Sequence, residues 1–448
     1  MNTIVTKTEH LAGSLRVPGD KSIAHRALIL GALARSEQIV EDLPASQDVV
    51  STARCLRRLG VGITERSPGS LRISPGERFE DKYGAGGIGP SHARSAPIAL
   101  DAGNSGTTTR LLAGLIAGAR LDCIIDGDES LRRRPMSRII EPLAKMGASL
   151  EAGPLGGLPL RVRGAPLSGI TYSLPVASAQ VKSAVLIAGL FAEGETTVIE
   201  PSPTRDHTEI MLATMGCNLQ RDHLAVTVSG GRTQLEGVHL HVPGDLSSAA
   251  FFMAAAAMLP RSEVLLLETG VNSTRTGFVE ALQAMGAEVT LEPRAAASGE
   301  PLADIRVRGG ALKGIEVAGD LVVRLIDELP LLAVVATRAE GDTVIREASE
   351  LRHKESDRIS AIVNNLALLG ADVDELDDGL VVHGPCVLTG AAVPSHGDHR
   401  IAMAMAVAGL TAAGRTQILQ SEVAGVSYPG FFRDLQLLAG EHCVETVA

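Results

Sequence analysis

The sequence predicts an α/β protein of two similar halves, each made of three βα-type units. Three observations carry this expectation: a length of 448 residues, a short phrase that recurs six times, and a common offset between the first three copies and the last three. A chain this long exceeds what one hydrophobic core usually serves, so two large domains are expected. The phrase is a helical run, a small turn holding glycine, and a short apolar strand. It reads LRRLGVGI from Leu56, LAKMGASL from Leu143, LATMGCNL from Leu212, LQAMGAEV from Leu282 and LALLGADV from Leu366, with a degenerate copy, LQLLAGEHCV, from Leu435. A glycine closing a helix supplies the left-handed conformation that other residues adopt only at a cost, and the chain then turns back as a strand.

The turn glycines Gly60, Gly147 and Gly216 are matched by Gly286, Gly370 and Gly440 at shifts of 226, 223 and 224 residues. A second phrase moves by nearly the same amount: VPGDKS at Val17 returns as VPGDLS at Val242, each before an Ala/Leu-rich helix. Helix–glycine–strand phrases are common in α/β proteins, but that does not explain a shared offset between independent phrases. Internal duplication does. Two stretches interrupt the pattern. Pro75–Ala96, rich in Gly, Pro and charge, reads as a long surface loop, and Glu292–Leu302 reads as a similar polar break.

Composition narrows the function. Aromatics are 2% with no Trp, so the core must be built from Ala, Leu, Val and Ile, which suits closely approaching helices. A net charge of -11 and so few stacking side chains argue against nucleic-acid binding. Any anionic ligand must be held by a local basic cluster. The cysteines Cys55, Cys123, Cys217, Cys386 and Cys443 lack metal-ligand spacing and read as reduced thiols. The N-terminus lacks the apolar core of a signal peptide, and Ala249–Leu259 and Ile401–Ala413 are too short to span a bilayer. The expectation is a cytoplasmic protein with neither membrane nor nucleic acid as partner.

Five segments set polar residues beside apolar helices. In PGDKSIAHRALILGALA, Lys21, Ser22 and Arg26 open a helix whose N-terminus would attract anions, although a solvated helix start reads equally well. A P-loop is excluded because Asp20 stands where its second glycine should be. In DAGNSGTTTRLLAGLIA, Gly103–Thr107 form a small-residue turn able to cradle phosphate, with Arg110 one helical turn on, although for this segment alone an ordinary capped helix is the slightly better reading. In ESLRRRPMSRI, three arginines precede Pro135. Such runs are usually solvated, but one drawn inward would make a bidentate phosphate ligand. PVASAQVKSAVLIAGLFA places Ser178 and Gln180 at another helix start, where simple N-capping competes, and TRDHTE adds Arg205 and His207. The fifth group is RLIDELP (Asp327, Glu328), LRHKESDRIS (Arg352, Lys354, Glu355, Asp357, Arg358) and GDHRIAM (Asp398, His399, Arg400). Carboxylates interleaved with cations suit acid/base chemistry on an anion, against the usual reading of a salt-bridged helix face.

In combination the five segments resemble the shikimate-type enolpyruvyl transferases, from Val17 to about Phe432. The resemblance implies two domains, each of three βαβαββ repeats, in an inside-out α/β barrel arrangement. Residues 21–243 would form one domain, and 1–20 with 244–448 the other. The chain would cross near Asp20 and Pro243, with the active site in the cleft and closure on substrate binding.

Carried over residue by residue, the resemblance puts Lys21 at both substrates and Ser22 and Arg26 at the shikimate carboxylate. Gly106 and Thr107 would lie beside phosphoenolpyruvate, and Arg134 at its phosphate. Ser178, Ala179 and Gln180 would meet the shikimate phosphate, with Gln180 also near phosphoenolpyruvate, and Arg205 would be a phosphate-binding arginine. Asp327 and Lys354 would sit at the shikimate hydroxyls. Glu355 would be the proton-transfer carboxyl, and Arg358 and Arg400 the pair gripping the phosphoenolpyruvate carboxylate. The implied catalytic set is Asp327, Glu355 and Lys21.

The implied reaction joins phosphoenolpyruvate to shikimate 3-phosphate in a monomer with no cofactor or metal, and glyphosate would compete with phosphoenolpyruvate. Three positions depart from the pattern. Val426 stands where a lysine is usual before Ser427-Tyr428-Pro429, and Ala24 and His353 replace Ser and Val. The rivals are the sister enzyme acting on UDP-N-acetylglucosamine, whose loop cysteine is replaced here by Glu129, and a non-catalytic repeat scaffold.

Overall fold

Among the described residues, helices of eight residues or more alternate in character along the chain. They are α1 (Lys21–Gly31), α2 (Gln47–Leu59), α3 (Gly106–Gly118), α4 (Ser137–Lys145), α5 (Ala179–Gly189), α6 (His207–Thr214), α7 (Leu246–Met258), α8 (Gly277–Ala284), α9 (Leu329–Ala336), α10 (Arg358–Leu368), α11 (His399–Gly409) and α12 (Phe431–Ala439). The odd-numbered helices are apolar nearly all round, and every residue of α7 and α9 is buried. A helix without a polar face belongs inside a core. Among the even-numbered helices, α12 buries Phe431, Leu435 and Leu438 at helical spacing and leaves Arg433 and Leu437 exposed. The structure, a computed structural model, describes residues 1–74, 96–231 and 235–447.

Each even-numbered helix is followed within two residues by its repeat glycine. Gly60, Gly147, Gly216, Gly286, Gly370 and Gly440 all have positive φ, between +86° and +115°. A strand follows each glycine, as the phrase predicts.

Among the described residues, the strands form six small sheets of one pattern. In the order Ile98–Asp101, Asp122–Asp126, Leu160–Arg163, Ser149–Glu151, the first two are parallel and the next two join antiparallel. Side chains alternate between buried and exposed, so each sheet offers one face to helices. Three sheets borrow a strand from far away in the sequence. His239–His241 lies parallel to Gln38–Glu41. Ala12–Leu15 lies parallel to Glu263–Gly270. Asn2–Thr6 lies between Arg415–Leu419 and Val444–Val447.

The chain divides into two compact units. One is Gly19–Val242 with Ala297–Glu300; the other is Met1–Pro18, Pro243–Ala296 and Pro301–Ala448. Each has its own apolar core. The stretch Glu292–Leu302 is not the polar break its composition suggests. It lies in two long strands, Glu288–Ala297 and Glu300–Arg308, joined by a tight turn. Its charges form cross-strand pairs, Arg306 with Glu292 at 3.0 Å and Arg294 with Asp304, so a polar strand face looks like a loop when only composition is read. Of the Pro75–Ala96 loop, residues 75–95 lie outside the described residues.

The small side chains let helices touch. A Cβ on Gly114 of α3 would lie 2.2 Å from the Ala184 carbonyl oxygen of α5. Gly114→Ala is therefore expected to destabilise its unit by about 1–3 kcal/mol through overpacking, read as a lower urea midpoint. An unchanged midpoint would contradict this contact.

Candidate active site

In the unit of Gly19–Val242, the three buried helices start with side-chain caps. Asp20, Ser105 and Ser178 accept from the N–H groups of Ile23, Thr108 and Val181 at 2.9, 3.1 and 3.4 Å. Asp20 is thus a helix cap, which accounts for its place in the PGDKS phrase. Ser178 likewise fulfils the N-capping reading. A cap satisfies only part of the first turn's donors, so the helix start still favours an anion.

The starts of α3 and α5 meet. Gln180 donates from Nε2 to Thr107 Oγ1 at 2.9 Å and accepts from Arg110 Nη1 at 2.8 Å. A Cβ on Gly106 would lie 2.7 Å from Arg110 Nη1 and 3.3 Å from Arg134 Nη1, so two guanidinium groups lie against this glycine. Arg134 also donates to Asn104 Oδ1 at 2.8 Å, and Asn104 donates to Asp128 at 2.5 Å. Of the arginine run, Arg132 and Arg133 pair with Asp126 and Glu129 at the surface, while Arg134 turns inward. Gly106, Thr107, Arg110, Arg134 and Gln180 therefore make one cluster of two fixed cations at a helix N-terminus, a fitting host for phosphate or carboxylate.

A second cluster surrounds α1. Lys21 Nζ lies 2.8 Å from Asp48 Oδ2. Arg26 is buried, and its donors go to uncharged oxygens: Thr208 Oγ1 at 2.7 Å, Ser22 O at 2.9 Å and Ser183 Oγ at 2.9 Å. Burial brings its pKa down to about 10, opposed by Glu209 and reinforced by Arg205. Arg205 thus stands near enough to Arg26 to weigh on its protonated form. Ala179 is the first residue of α5. Beneath them, buried Lys182 pairs with Glu200 at 2.8 Å and Glu209 at 2.7 Å.

Fully buried His25 holds Thr52 Oγ1 at 2.7 Å from Nδ1. Burial lowers its pKa to about 3, against the pull of Asp48. The unfolded chain therefore takes up a proton near pH 6.5 that the folded chain refuses. Stability contributed by neutral His25 is complete above that pH and falls as pH drops, by about 1.4 kcal/mol per unit. His25→Gln should flatten this limb of a urea-midpoint series between pH 7 and 5. An identical slope in both proteins would contradict it.

In the other unit, the three segments RLIDELP, HKESDR and GDHR converge. Arg358, buried at the start of α10, donates from Nε to Asp398 Oδ2 at 2.7 Å and from Nη2 to Glu355 Oε2 at 2.6 Å. Weaker bonds reach Asp398 Oδ1 and, from Nη1, Asp327 Oδ1, both at 3.3 Å. Burial alone would lower its pKa, but Asp398, Glu355 and Asp327 together raise it. Asp398 is likewise penalised by burial, yet Arg358 holds it below the usual carboxylate range. Asp398 also caps α11 through Arg400 N–H at 2.9 Å.

Arg400 donates to Asp327 O at 3.1 Å and Glu328 Oε1 at 3.2 Å, and Lys354 Nζ lies 3.7 Å from Asp327 Oδ1. Four carboxylates and three cations from separate elements thus share one site, which a salt-bridged helix face would not give. Arg352 stands apart with Asp357 and Glu375.

Sequence reading did not carry Lys182, Ser247 or Arg275 into the site, and it placed Arg110 beside the small-residue turn without a role from the resemblance. Ser247 donates to Glu328 at 2.5 Å and accepts from Arg275 at 2.5 Å, supporting the carboxylate that Arg400 uses. The repeat could have found Ser247, because it follows Asp245 in VPGDLS as Ser22 follows Asp20 in VPGDKS. Of the departures, Val426 ends a 3-10 turn half-buried, Ala24 is buried within α1 and His353 is exposed.

The sequence model of the family described as EPSP synthase (3-phosphoshikimate 1-carboxyvinyltransferase) matches residues 5–435. The chain belongs to the EPSP synthase family. Among relatives, a 3-phosphoshikimate 1-carboxyvinyltransferase of Desulforudis audaxviator is 49% identical, covering 98% of this chain and 99% of its own. One from Synechococcus elongatus is 49% identical, covering 96% and 94%. A solved EPSP synthase from Acinetobacter baumannii superposes with a TM-score of 0.85 at 40% identity, covering 100% of this chain and 99% of its own. The enolpyruvyl transferase NikO of Streptomyces tendae shares the fold, with a TM-score of 0.78 at 18% identity. The two-domain enolpyruvyl transferase fold that the resemblance implies is thus the fold of this family, and family membership does not favour the UDP-N-acetylglucosamine or scaffold readings. Among the described residues, no helix is long and apolar enough to cross a membrane.

Proposed function

We propose that this chain transfers the enolpyruvyl group of phosphoenolpyruvate to the 5-hydroxyl of shikimate 3-phosphate and releases phosphate. The observation that carries the reading is the Asp327–Glu355–Arg358–Arg400 cluster, in a chain matching its family from residue 5 to 435. Carboxylates beside fixed arginines can move protons while the cations hold an anionic substrate.

In the proposed sequence, protonated Glu355 gives its proton to the methylene carbon of phosphoenolpyruvate. Asp327 or Lys21 takes the proton of the 5-hydroxyl, whose oxygen bonds to the neighbouring cationic carbon. The tetrahedral adduct then loses a methyl proton and phosphate, which restores the double bond. Arg358 and Arg400 hold the donor carboxylate; with four of its five N–H groups already engaged, Arg358 offers one at Nη1. Arg134 and Gln180 hold the donor's phosphate end beside Gly106, with Arg110 added to that set. Lys21, Ser22 and Arg26 meet the acceptor carboxylate. Ser178, Ala179, Gln180 and Arg205 meet the acceptor phosphate, and Asp327 and Lys354 its hydroxyls. The enzyme would act as a cytoplasmic monomer.

The test is phosphate release from phosphoenolpyruvate with shikimate 3-phosphate or UDP-N-acetylglucosamine as acceptor. Saturable release with shikimate 3-phosphate alone is expected. Release only with the sugar nucleotide, or with neither acceptor, would overturn the assignment.

A further inference from the structure

Strand His239–His241 runs parallel to Gln38–Glu41, with His241 opposite Glu41. Alternation along the strand buries Leu240 and turns both histidines to the outer face. Their imidazole rings stack with centroids 4.9 Å apart. His239 Nε2 lies 3.0 Å, and His241 Nδ1 3.3 Å, from the same Glu41 oxygen, Oε2. All three potential donor atoms fall within 4.8 Å of one another. Asp42 Oδ2 stands 3.7 Å from His241 Nδ1, and the second Glu41 oxygen faces Arg66 Nη1 at 3.5 Å.

From this geometry we propose a binding site for a divalent transition metal of the zinc class, made by Glu41, His239 and His241. Ligands about 2.0–2.1 Å from a tetrahedral ion lie about 3.3 Å from each other, and the two nitrogen–oxygen separations of 3.0 and 3.3 Å are close to that edge. Two imidazoles and a carboxylate suit zinc, cobalt, nickel or copper and not magnesium. Two carboxylates, counting Asp42, balance a dication. Arg66 orients the Glu41 carboxylate from outside, as a supporting partner of a metal ligand does. The donors are partly exposed, so an ion can enter and water can fill the fourth position. The site is distinct from the clusters assigned to catalysis. Bound metal would tie a strand from residues 38–41 to one from residues 239–241, the strand that closes the first sheet of its unit.

Tag-free chain stripped with chelator should be titrated calorimetrically with zinc chloride, and with cobalt chloride while visible absorption is recorded. One equivalent is expected, with the intense ligand-field bands of four-coordinate cobalt and a zinc-dependent rise in Tm. His239→Ala and His241→Ala, both at exposed positions, should each weaken binding by about tenfold or more, and the double variant should lose the bands and the Tm rise. Magnesium chloride should not compete. Absence of binding to the unaltered chain, or equal binding by the double variant, would overturn the proposal. Phosphate release by the double variant without metal should match the unaltered chain, which shows that it is folded.

Discussion

Glu355→Gln should lower kcat for phosphate release by about 10²–10⁴-fold, the range for losing a general acid, with little change in KM for either substrate. Glutamine keeps the shape and an oxygen that can accept from Arg358, which now lies 2.6 Å from Glu355 Oε2. It cannot give up a carboxyl proton. The variant thus removes proton transfer while preserving the arrangement around the buried guanidinium. Matched steady-state kinetics on both proteins would check it. A variant within a few-fold of the unaltered enzyme in kcat would move the proton-transfer role to another group.

Asp398→Ala should cost its unit about 3–5 kcal/mol, because it strands a buried charge. Asp398 and Arg358 are both almost fully buried, and the carboxylate takes two of the guanidinium's bonds. The same carboxylate caps α11 through the Arg400 N–H, and loss of such a cap costs about 1 kcal/mol by itself. Asp398→Asn keeps an oxygen for the cap and for Arg358 but removes the charge, so it should be milder. Urea unfolding of the three proteins should rank them unaltered, Asn, Ala. Midpoints that coincide would show that Glu355 and Asp327 suffice to balance Arg358.

Much of the fold could be read from the sequence because it is encoded locally and repeated. A glycine after each even-numbered helix needs positive φ, and the requirement recurs at Gly60, Gly147, Gly216, Gly286, Gly370 and Gly440. Asp20 and Asp245 cap helices within phrases that share an offset. Polar residues at helix starts were also legible as a group, and Gly106, Thr107, Arg134 and Gln180 do gather.

What escaped the sequence depends on partners from distant elements. Lys182 is one lysine in an alanine-rich helix until Glu200 and Glu209 are folded against it. Lys21 gives no sign that Asp48 of α2 holds it. The charged stretch at Glu292–Leu302 was misread because charges alternating on a strand face have the composition of a loop. Spacing also does not separate a ligand-binding serine from a capping one: Ser178 Oγ accepts from Val181 N–H.

The most direct test of the central claim is the reaction run in deuterated water with phosphoenolpyruvate and shikimate 3-phosphate, with the product followed by proton and phosphorus NMR. The account predicts inorganic phosphate and a new enolpyruvyl ether at the 5-oxygen. Deuterium should appear in its methylene group, because the carbon passes through a methyl stage that exchanges with solvent through Glu355. Phosphate without the ether, or an ether whose methylene carries no deuterium, would contradict it.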